Sequence, residues 1–410
     1  MTKALIIGAG VAGPVAAMAL QRAGVDAEIF EAHPRTADDV GAFLTLQTNG
    51  MDALRAIDAY RPVAGRGFAT PVMQFYSWTG KHLGTVPTGG VLDDGTVGHT
   101  VRRTDLYTAL RDEAVRRGVR IHHGRRLVDA REHAGGAIAE FEDGSTAAGD
   151  LLVGCDGVRS RVRTVIDPDA PAARRVPLLN LGGYARGVAT DKRPGEYHMI
   201  FGKRAFFGYA PAPDGETWWF ANPPAREDPG HEALASTTDT QWRTMLRDLY
   251  AVDRSPAVDL IDATPGPLRG YATYDFPTIP IWHNPSMVVI GDAAHAVSPS
   301  SGQGASMAIE DAVQLARCVR DLPTIPAALE TYEQLRRARV ERVVAVGARS
   351  TSDKVAGPVA RVFRDLLMPL FLRRVAGNGA SSLAWMHRYH VDWDARVVPG
   401  AAARAASTGV

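Results

Sequence analysis

The sequence predicts an α/β fold in which a Rossmann-like domain with a parallel sheet carries an inserted antiparallel sheet and is followed by C-terminal helices. Two short apolar runs, at 4–7 and 287–290, each lead into a glycine-rich loop and then a helix, as in strand–loop–helix units of parallel sheets. Residues 176–270 instead contain several strand-like runs rich in aromatic residues, and helical periodicity dominates after residue 312. A chain of 410 residues is long enough for two or three domains.

The first strand–loop–helix unit begins with the apolar run Ala4–Ile7, which leads into Gly8-Ala9-Gly10-Val11-Ala12-Gly13. In this pattern Gly8 permits a tight turn, Gly10 lets the backbone approach a pyrophosphate, and Gly13 lets the helix pack on the strand. The next strand ends at Glu31, which is well placed to accept hydrogen bonds from ribose hydroxyls. These features predict a dinucleotide site, and they do not separate FAD from NAD.

The second unit, Met287–Ala312, combines a buried strand, an acidic residue and a helix N-terminus. Asp292 follows the strand, and the helix is predicted to begin near Ala305, after Gly302 and Gly304. An aspartate accepts hydrogen bonds from a hydroxylated chain, and free amides at a helix start favour an oxygen that gains negative charge. A flavin offers both groups, in its ribityl chain and in its N1–C2=O edge. The alternative is an ordinary strand–helix turn capped by an aspartate.

Charged residues also mark two other predicted helix starts. Arg103 stands just before a helix predicted from residue 105 to about 117, and it could bind a phosphate; a solvated surface arginine is an equal alternative. A strand over 151–153 enters Gly154–Arg163, where Asp156 and several arginines precede a helix that Ser160 is expected to cap. These arginines either contact a phosphate or nicotinamide cofactor or form a charged helix surface.

The aromatic residues of 176–270 predict one apolar face of an antiparallel sheet. This face either forms the wall of a pocket for an apolar or aromatic substrate or is ordinary sheet core, and for any single aromatic residue the core is favoured. The clustered aromatic residues are Phe206, Phe207, Tyr209, Trp218, Trp219 and Phe220. Phe207, Tyr209 and Trp219 are the candidates for the substrate pocket.

These patterns divide the chain into a discontinuous cofactor domain, an inserted sheet domain and a helical end. The cofactor domain is predicted to comprise residues 1–70, 98–175 and 271–325, and the substrate-binding sheet 71–97 and 176–270. Residues 326–399 are predicted to form C-terminal helices and 400–410 a loose tail. An apolar stretch within 357–376 is expected to pack as a tail helix; a dimer surface and a substrate-entry helix are alternatives.

Composition excludes several classes of function. The formal net charge is +1, so neither nucleic acid nor a charged membrane surface is an expected partner. No apolar run is long enough to span a bilayer, and the N-terminal run ends in glycines rather than a cleavage site. The two cysteines, Cys155 and Cys318, form no disulfide framework and fit a cytoplasmic location. No metal site is expected, and a monomer and a dimer remain open.

Three stretches together resemble the single-component FAD-dependent aromatic hydroxylases of the p-hydroxybenzoate hydroxylase type. Members of this family carry a GxGxxG, a Gly-Ala-Asp-Gly-x-x-Ser-x-Val-Arg and a Gly-Asp-Ala-Ala-His-x-x-x-Pro-x-x-Gly-x-Gly stretch, in that order. The corresponding residues here are Gly8–Gly13, Gly154–Arg163 and Gly291–Gly304. The resemblance covers roughly residues 1–350.

The resemblance implies a set of FAD contacts. At the adenosine end these are Gly8, Gly10, Val11, Ala12, Gly13, Glu31 and the backbone near Leu127. Arg103 would contact the flavin chain and Asp292 its hydroxyls, while Asp156 resembles a residue associated with both FAD and NAD(P)H. The isoalloxazine would be lined by Pro299, Gly302, Gly304 and Ala305. Three positions depart from the family pattern: Ser306 replaces a frequent Asn, Cys155 a usual Ala, and Asp38-Asp39-Val40 stands where many relatives carry a basic residue.

The activity implied is an NAD(P)H- and O₂-dependent monooxygenase that hydroxylates or epoxidises an aromatic or polycyclic small molecule through a flavin C4a-hydroperoxide. The substrate could be a natural product or an antibiotic. Same-fold alternatives are a flavin halogenase and an isoprenoid reductase, and a non-catalytic flavin-binding protein is an alternative of another class. No catalytic residue is assigned; His99, His295 and Tyr209 are candidates for a base.

Overall fold

The computed structural model describes residues 1–34, 42–188, 190, 192–225, 227–276, 278–354 and 384–398, together with 357, 361, 363, 365–370 and 372. Its centre is a five-stranded parallel sheet that matches the predicted Rossmann-like domain. In spatial order the strands are β18 (Met287–Val289), β12 (Leu151–Gly154), β1 (Lys3–Ile7), β2 (Asp26–Glu31) and β8 (Arg120–His123). Since the strands are parallel, the loops after β1, β12 and β18 meet at one edge.

Helices begin at this edge of the sheet. Two of them lie against each other and bury small side chains, such as Ala16 and Ala312, that permit a close approach. The helices of this domain are α1 (Ala12–Arg22), α4 (Arg103–Arg116), α5 (Arg161–Ile166), α9 (Asp292–His295) and α10 (Gly304–Asp321). The predicted helix starts near residues 105 and 305 are therefore confirmed to within two residues.

A seven-stranded sheet forms the second part of the fold. Its strands are β17 (Tyr271–Asp275), β13 (Arg174–Ala185), β16 (Thr217–Asn222), β15 (Phe206–Pro211), β14 (Glu196–Phe201), β5 (Val72–Ser77) and β6 (His82–Pro87), in spatial order. All neighbours are antiparallel except β14 and β5, which are parallel, because β5 arrives from the separate hairpin at 72–87.

Helices that the strand patterns did not predict cover one face of this sheet. Three helices follow β16: α6 (Gly230–Ser236), α7 (Asp239–Tyr250) and α8 (Ala257–Asp262). Thr238 caps α7 and exchanges hydrogen bonds with Gln241 in a capping box. Trp242 and Leu246 of α7 and Leu260 of α8 are buried against the sheet.

Two three-stranded sheets and two short helices complete the body. One sheet contains β9 (Leu127–His133), β10 (Gly136–Phe141) and β11 (Thr146–Gly149), and the other β3 (Phe43–Leu46), β7 (His99–Arg102) and β4 (Gly67–Ala69). The helices are α2 (Thr48–Arg55) and α3 (Tyr60–Ala64).

The described chain beyond α10 is mainly helical, as predicted. The long α11 (Ile325–Lys354) packs on α10, and the short α12 (Ala384–His387) lies against α2. Within the apolar stretch, Leu372 is buried beside Gly84 of β6, whereas Leu366, Leu367 and Leu370 are exposed. The predicted loose tail at 400–410 lies outside the described residues, and none of the described helices is long and apolar enough to cross a membrane.

Candidate active site

The glycine turn after β1 is packed tightly on one side and open on the other. Gly8 has φ +104°, and a Cβ there would lie 2.6 Å from the Cys155 carbonyl oxygen. A Cβ on Gly13 would lie 2.0 Å from the Gly8 carbonyl oxygen, so α1 can begin only because this residue is glycine. A Cβ on Gly10 would meet nothing within 4 Å. The turn therefore offers its backbone at Gly10 to a ligand.

A cavity of about 370 Å³ lies beside this turn, and Gly8, Gly10, Glu31, Leu127 and Asp156 are among its lining residues. Glu31 is fixed by the backbone: its Oε2 accepts from the Ala9 N–H at 2.7 Å and its Oε1 from the His33 N–H at 2.9 Å. The small cavity thus brings together most of the residues predicted for the adenosine end. Of the others, Val11 and Ala12 line the neighbouring cavity, and Gly13 packs inside the turn.

Asp156 caps α5 and faces the small cavity. Its Oδ2 accepts from the backbone N–H groups of Arg161 at 2.7 Å and Val162 at 3.1 Å. Its Oδ1 is buried without a partner among the described residues. Burial raises the pKa of Asp156, against hydrogen bonds from Ser160 and the backbone that lower it. A buried acceptor without a donor is suited to a ligand hydroxyl or N–H.

A second cavity of about 1350 Å³ adjoins the first and connects the parallel sheet to the seven-stranded sheet. The two cavities share Gly10, Tyr107, Cys155 and Gly157 in their walls. The remaining sequence-predicted cofactor residues line the large cavity: Val11, Ala12, Arg103, Asp292, Pro299, Gly302, Gly304 and Ala305.

Arg103 and Asp292 bring opposite charges to the wall of the large cavity. Arg103 is partly buried, donates from Nη2 to the Tyr107 hydroxyl at 2.8 Å, and leaves its buried Nε without a partner among the described residues. Burial opposes its charge, but Tyr107 and Asp292 raise the pKa of Arg103. Burial raises the pKa of Asp292, and His295 and Arg103 act against that rise. The unpartnered Arg103 Nε suits a phosphate oxygen, and the Asp292 carboxylate suits a chain hydroxyl.

A buried ion-pair network holds α10 behind this wall. Asp311 pairs with His295 and, at 2.7 Å, with Arg336, and it accepts from the Gly291 N–H at 3.0 Å. Glu310 pairs with Arg336 and with Arg339, each at 2.7 Å. His295 is thus fixed under the loop and does not line either cavity, so it is no candidate base.

Residues that the motifs did not identify support the start of α10. Ser306, at the position of a frequent Asn, is buried, and its hydroxyl accepts from the Gln47 N–H at 3.0 Å rather than facing the cavity. Gln303 lies 3.0 Å from Nδ1 of His387 and accepts from Asn49 at 2.9 Å. His387 of α12 lines the large cavity, and burial lowers its pKa to about 4. Nothing in the local sequence around His387 signals this role.

The three aromatic residues assigned to the substrate pocket require a correction. Phe207, Tyr209 and Trp219 are buried on the opposite face of the sheet, where Phe207 packs edge-on against Tyr250 of α7 with ring centres 5.2 Å apart. The Trp219 indole donates to the Thr264 hydroxyl at 2.7 Å. Because side chains alternate along a strand, their neighbours face the cavity instead. The apolar residues lining this part of the large cavity are Met73, Phe75, Tyr197, Met199, Phe201, Phe206 and Phe220.

The remaining base candidates also lie away from the cavities. His99 is buried with Nδ1 2.9 Å from the Val97 carbonyl oxygen, burial lowers its pKa, and its ring meets Tyr60 edge-on. Tyr209 stacks on His198 with ring centres 4.8 Å apart. Five other tyrosines do line the large cavity: Tyr107, Tyr184, Tyr197, Tyr271 and Tyr274. Burial raises the pKa of Tyr184 to about 12 and also raises that of Tyr197.

Cys155 and Cys318 are both free thiols. Cys155 borders both cavities, and burial together with Asp156 raises its pKa. Cys318 is buried within α10, and burial raises its pKa to about 12. Both thiols are therefore protonated at neutral pH.

Comparison with known proteins agrees with this geometry. The family model described as FAD binding domain matches residues 1–346. The aurachin C monooxygenase/isomerase of Stigmatella aurantiaca is 30% identical over 345 residues, which cover 83% of this chain and 86% of that protein. An FAD-dependent urate hydroxylase of Klebsiella pneumoniae is 29% identical over 361 residues, 87% of this chain and 91% of the relative.

Solved structures share the fold over nearly the whole chain. The crystal structure of Klebsiella pneumoniae HpxO with FAD and uric acid superposes with a TM-score of 0.81 at 24% identity, covering 93% of this chain and 96% of the other. The tetracycline destructase Tet(55) superposes with a TM-score of 0.67 at 17% identity, covering 91% and 96%.

Proposed function

This chain belongs to the FAD binding domain family and is an FAD-dependent monooxygenase that uses NAD(P)H, and on that basis we propose that it oxygenates an aromatic or polycyclic small molecule. One observation carries the proposal: a single cavity is lined at one end by the loop and helix start at 299–305 and at the other by an aromatic sheet face. Relatives named for aurachin C, urate and 3-amino-4-hydroxybenzoate support a ring-containing substrate.

The residues present fit FAD. The unpartnered Nε of Arg103, the unpartnered Oδ1 of Asp156 and the open backbone at Gly10 are the donor, the acceptor and the space that its phosphates and hydroxyls require. Glu31 and Leu127 would hold the adenosine end in the small cavity. The isoalloxazine would lie against Pro299, Gly302, Gly304 and Ala305. When bound, FAD supplies the transfer of electrons from NAD(P)H to O₂ and the oxygen transfer to substrate.

The protein's own residues then position groups and exclude water. Backbone N–H groups at the start of α10 would stabilise negative charge that develops on a bound ring system. The buried Asp311 pairs fix the loop that carries Asp292. The apolar side chains of β14, β15 and β16 keep the substrate end of the cavity poor in water, which favours oxygen transfer over loss of peroxide.

We also propose the domain division given above, a cytoplasmic location and a monomeric or dimeric state. The four separate sheets support the division, and the two free cysteines support a reducing compartment. The departure from the family pattern at Asp38-Asp39-Val40 lies outside the described residues.

The test is to load the purified protein with FAD and follow NADH and NADPH oxidation with and without a panel of phenols, quinolones and polycyclic aromatics. We expect a yellow protein whose oxidation rate rises with one compound, and a product heavier by one oxygen atom. A protein that takes up FAD but never turns over would favour a non-catalytic flavin-binding protein. A protein that cannot bind FAD would overturn the proposal.

A further inference from the structure

Lys354, the last residue of α11, places an ammonium group in the aromatic end of the large cavity. Its Nζ lies 4.3 Å from the ring centre of Phe206 and 5.7 Å from that of Phe220. It donates to Oδ1 of Asn222 at 2.7 Å. Lys354, Asn222 and the two phenylalanines each line the cavity, so these four residues form one part of its wall.

Asn222 is oriented for this contact by the strand beside it. Its Nδ2 donates to the Leu179 carbonyl oxygen at 3.3 Å and to the side-chain oxygen of Asn180, so its own oxygen faces Lys354. Asn180 lines the cavity as well. A polar patch of two asparagines and a lysine thus interrupts a wall that is otherwise aromatic and aliphatic.

The ammonium group has no counter-ion in the described part of the chain. Among the residues that the structure describes, no carboxylate lies within ion-pair distance of Lys354, whereas the buried Arg336 and Arg339 are each paired with Glu310. Burial alone lowers the pKa of Lys354 to about 7. A buried cation with one neutral acceptor and two ring faces stands to gain from an anion that enters the cavity.

We propose that Lys354, supported by Asn222, binds an anionic oxygen of the substrate and so selects an aromatic acid over its neutral analogue. This inference rests on the monooxygenase function proposed above and names the class of substrate for the same site. The anionic oxygen comes either from a carboxylate or from an ionised ring hydroxyl. Lys354 acts as a specificity-determining residue, with the ring of the substrate beside Phe206 and Phe220.

The experiment titrates the FAD-loaded enzyme with 2-naphthoate, 2-naphthol and 2-naphthamide and records the change in flavin absorbance. We expect wild-type enzyme to bind at least one of the first two compounds on the order of tenfold more tightly than the amide, the range of a hydrogen bond to a charged group. Preference for naphthoate identifies a carboxylate, and preference for naphthol identifies an ionised hydroxyl. Equal binding of all three, or no binding, overturns the proposal.

Two variants test whether Lys354 causes the preference for the anionic compounds over the amide. Lys354→Met is expected to abolish it, whereas Lys81→Met, which removes an exposed lysine in the β5–β6 turn, is expected to retain it. A preference that survives in Lys354→Met overturns the assignment. If that variant fails to fold, labelling of wild-type holoenzyme with acetic anhydride tests the proposal instead. We expect 2-naphthoate or 2-naphthol to protect Lys354 from labelling and to leave Lys81 unprotected. Equal labelling of Lys354 with and without these compounds contradicts the proposal.

FAD uptake and NAD(P)H oxidation are measured on the same samples. A yellow enzyme that oxidises NAD(P)H in response to a substrate but shows no preference for acids overturns this inference and leaves the proposed function intact. A colourless protein overturns the proposed function itself.

Discussion

Glu31 borders the proposed adenosine site and is held by hydrogen bonds to the backbone around that site. Its two carboxylate oxygens accept from the N–H groups of Ala9 and His33, and the side chain borders the small cavity. Hydrogen bonds to a charged acceptor are stronger than those to a neutral one. A change at this residue should therefore act on the adenosine end alone.

We expect Glu31→Gln to weaken FAD binding by roughly tenfold, because a neutral amide oxygen accepts more weakly and the amide nitrogen cannot accept. The measurement is the dissociation constant of FAD, compared with that of FMN, which lacks the adenosine half. FMN affinity should change little. Equal losses for both cofactors would contradict a role confined to the adenosine end.

Single residues also mark the limit of prediction from sequence. The glycine turn, Glu31 and Asp292 were predictable because each lies within a few residues of a strand end whose pattern is local. Lys354 and His387 could not be found in this way, because distant helices bring them to the cavity. Arg103 stood at even odds until the fold placed it opposite Asp292.

At the level of strands and helices, the seven-stranded sheet shows that a shift of one residue along a strand decides whether a side chain faces the cavity or the core. The sequence predicts the antiparallel sheet but assigns its pocket candidates to the wrong face, because it does not predict α7 and α8, which cover that face. A run such as Trp218-Trp219-Phe220 is apolar on both faces, so its pattern cannot say which face is core.

The two faces of this sheet predict opposite effects for a matched pair of variants. Phe207→Ala should destabilise the fold by about 3–5 kcal/mol, since its ring is fully buried. Phe220→Ala should cost less and instead change the KM of an aromatic substrate, since its ring lines the cavity. Denaturant unfolding and steady-state kinetics on both variants separate the effects. A larger kinetic effect from Phe207→Ala would contradict the assigned faces.

Helix α10 depends on the buried charge of Asp311. Although burial acts to raise the pKa of Asp311, His295 and Arg336 hold it well below its ordinary value of 3.8. A carboxylate with a lowered pKa stabilises the fold fully above its unfolded pKa and loses this contribution as the pH falls toward the folded pKa.

Asp311→Asn should accordingly destabilise the protein by about 3–5 kcal/mol at neutral pH, because it leaves Arg336 and His295 without their shared partner. The difference from wild type should shrink as the pH falls below about 4. Urea unfolding at several pH values measures it, with the exposed Asp93→Asn as control. A difference that is independent of pH would show that charge is not the cause.

In the whole molecule, the cofactor cavity lies where separate parts of the chain meet. The parallel sheet, the seven-stranded sheet, α10, α11 and α12 all contribute residues to the large cavity. In the two cavities, polar groups such as Arg103 Nε and Asp156 Oδ1 have no partner among the residues that the structure describes. A ligand that satisfies them should stabilise the contacts between these parts.

We expect FAD at about 100 times its dissociation constant to add about 2.7 kcal/mol to the free energy of unfolding, since binding to the folded state alone shifts the equilibrium by mass action. Thermal unfolding of the FAD-free and FAD-loaded protein tests this. A melting temperature that is unchanged by saturating FAD would mean that the unfolded chain binds equally well or that the cavity is not the binding site.

The two protonated thiols bear on how long such an enzyme could remain active. A flavin monooxygenase that turns over without substrate releases hydrogen peroxide beside its own cavity walls, and peroxide attacks the thiolate form of cysteine. Cys155 stands at the junction of the two cavities, yet burial and Asp156 keep its sulfur protonated. A cysteine in the cavity wall is thus kept in its less reactive form, which limits damage to the enzyme by its own by-product.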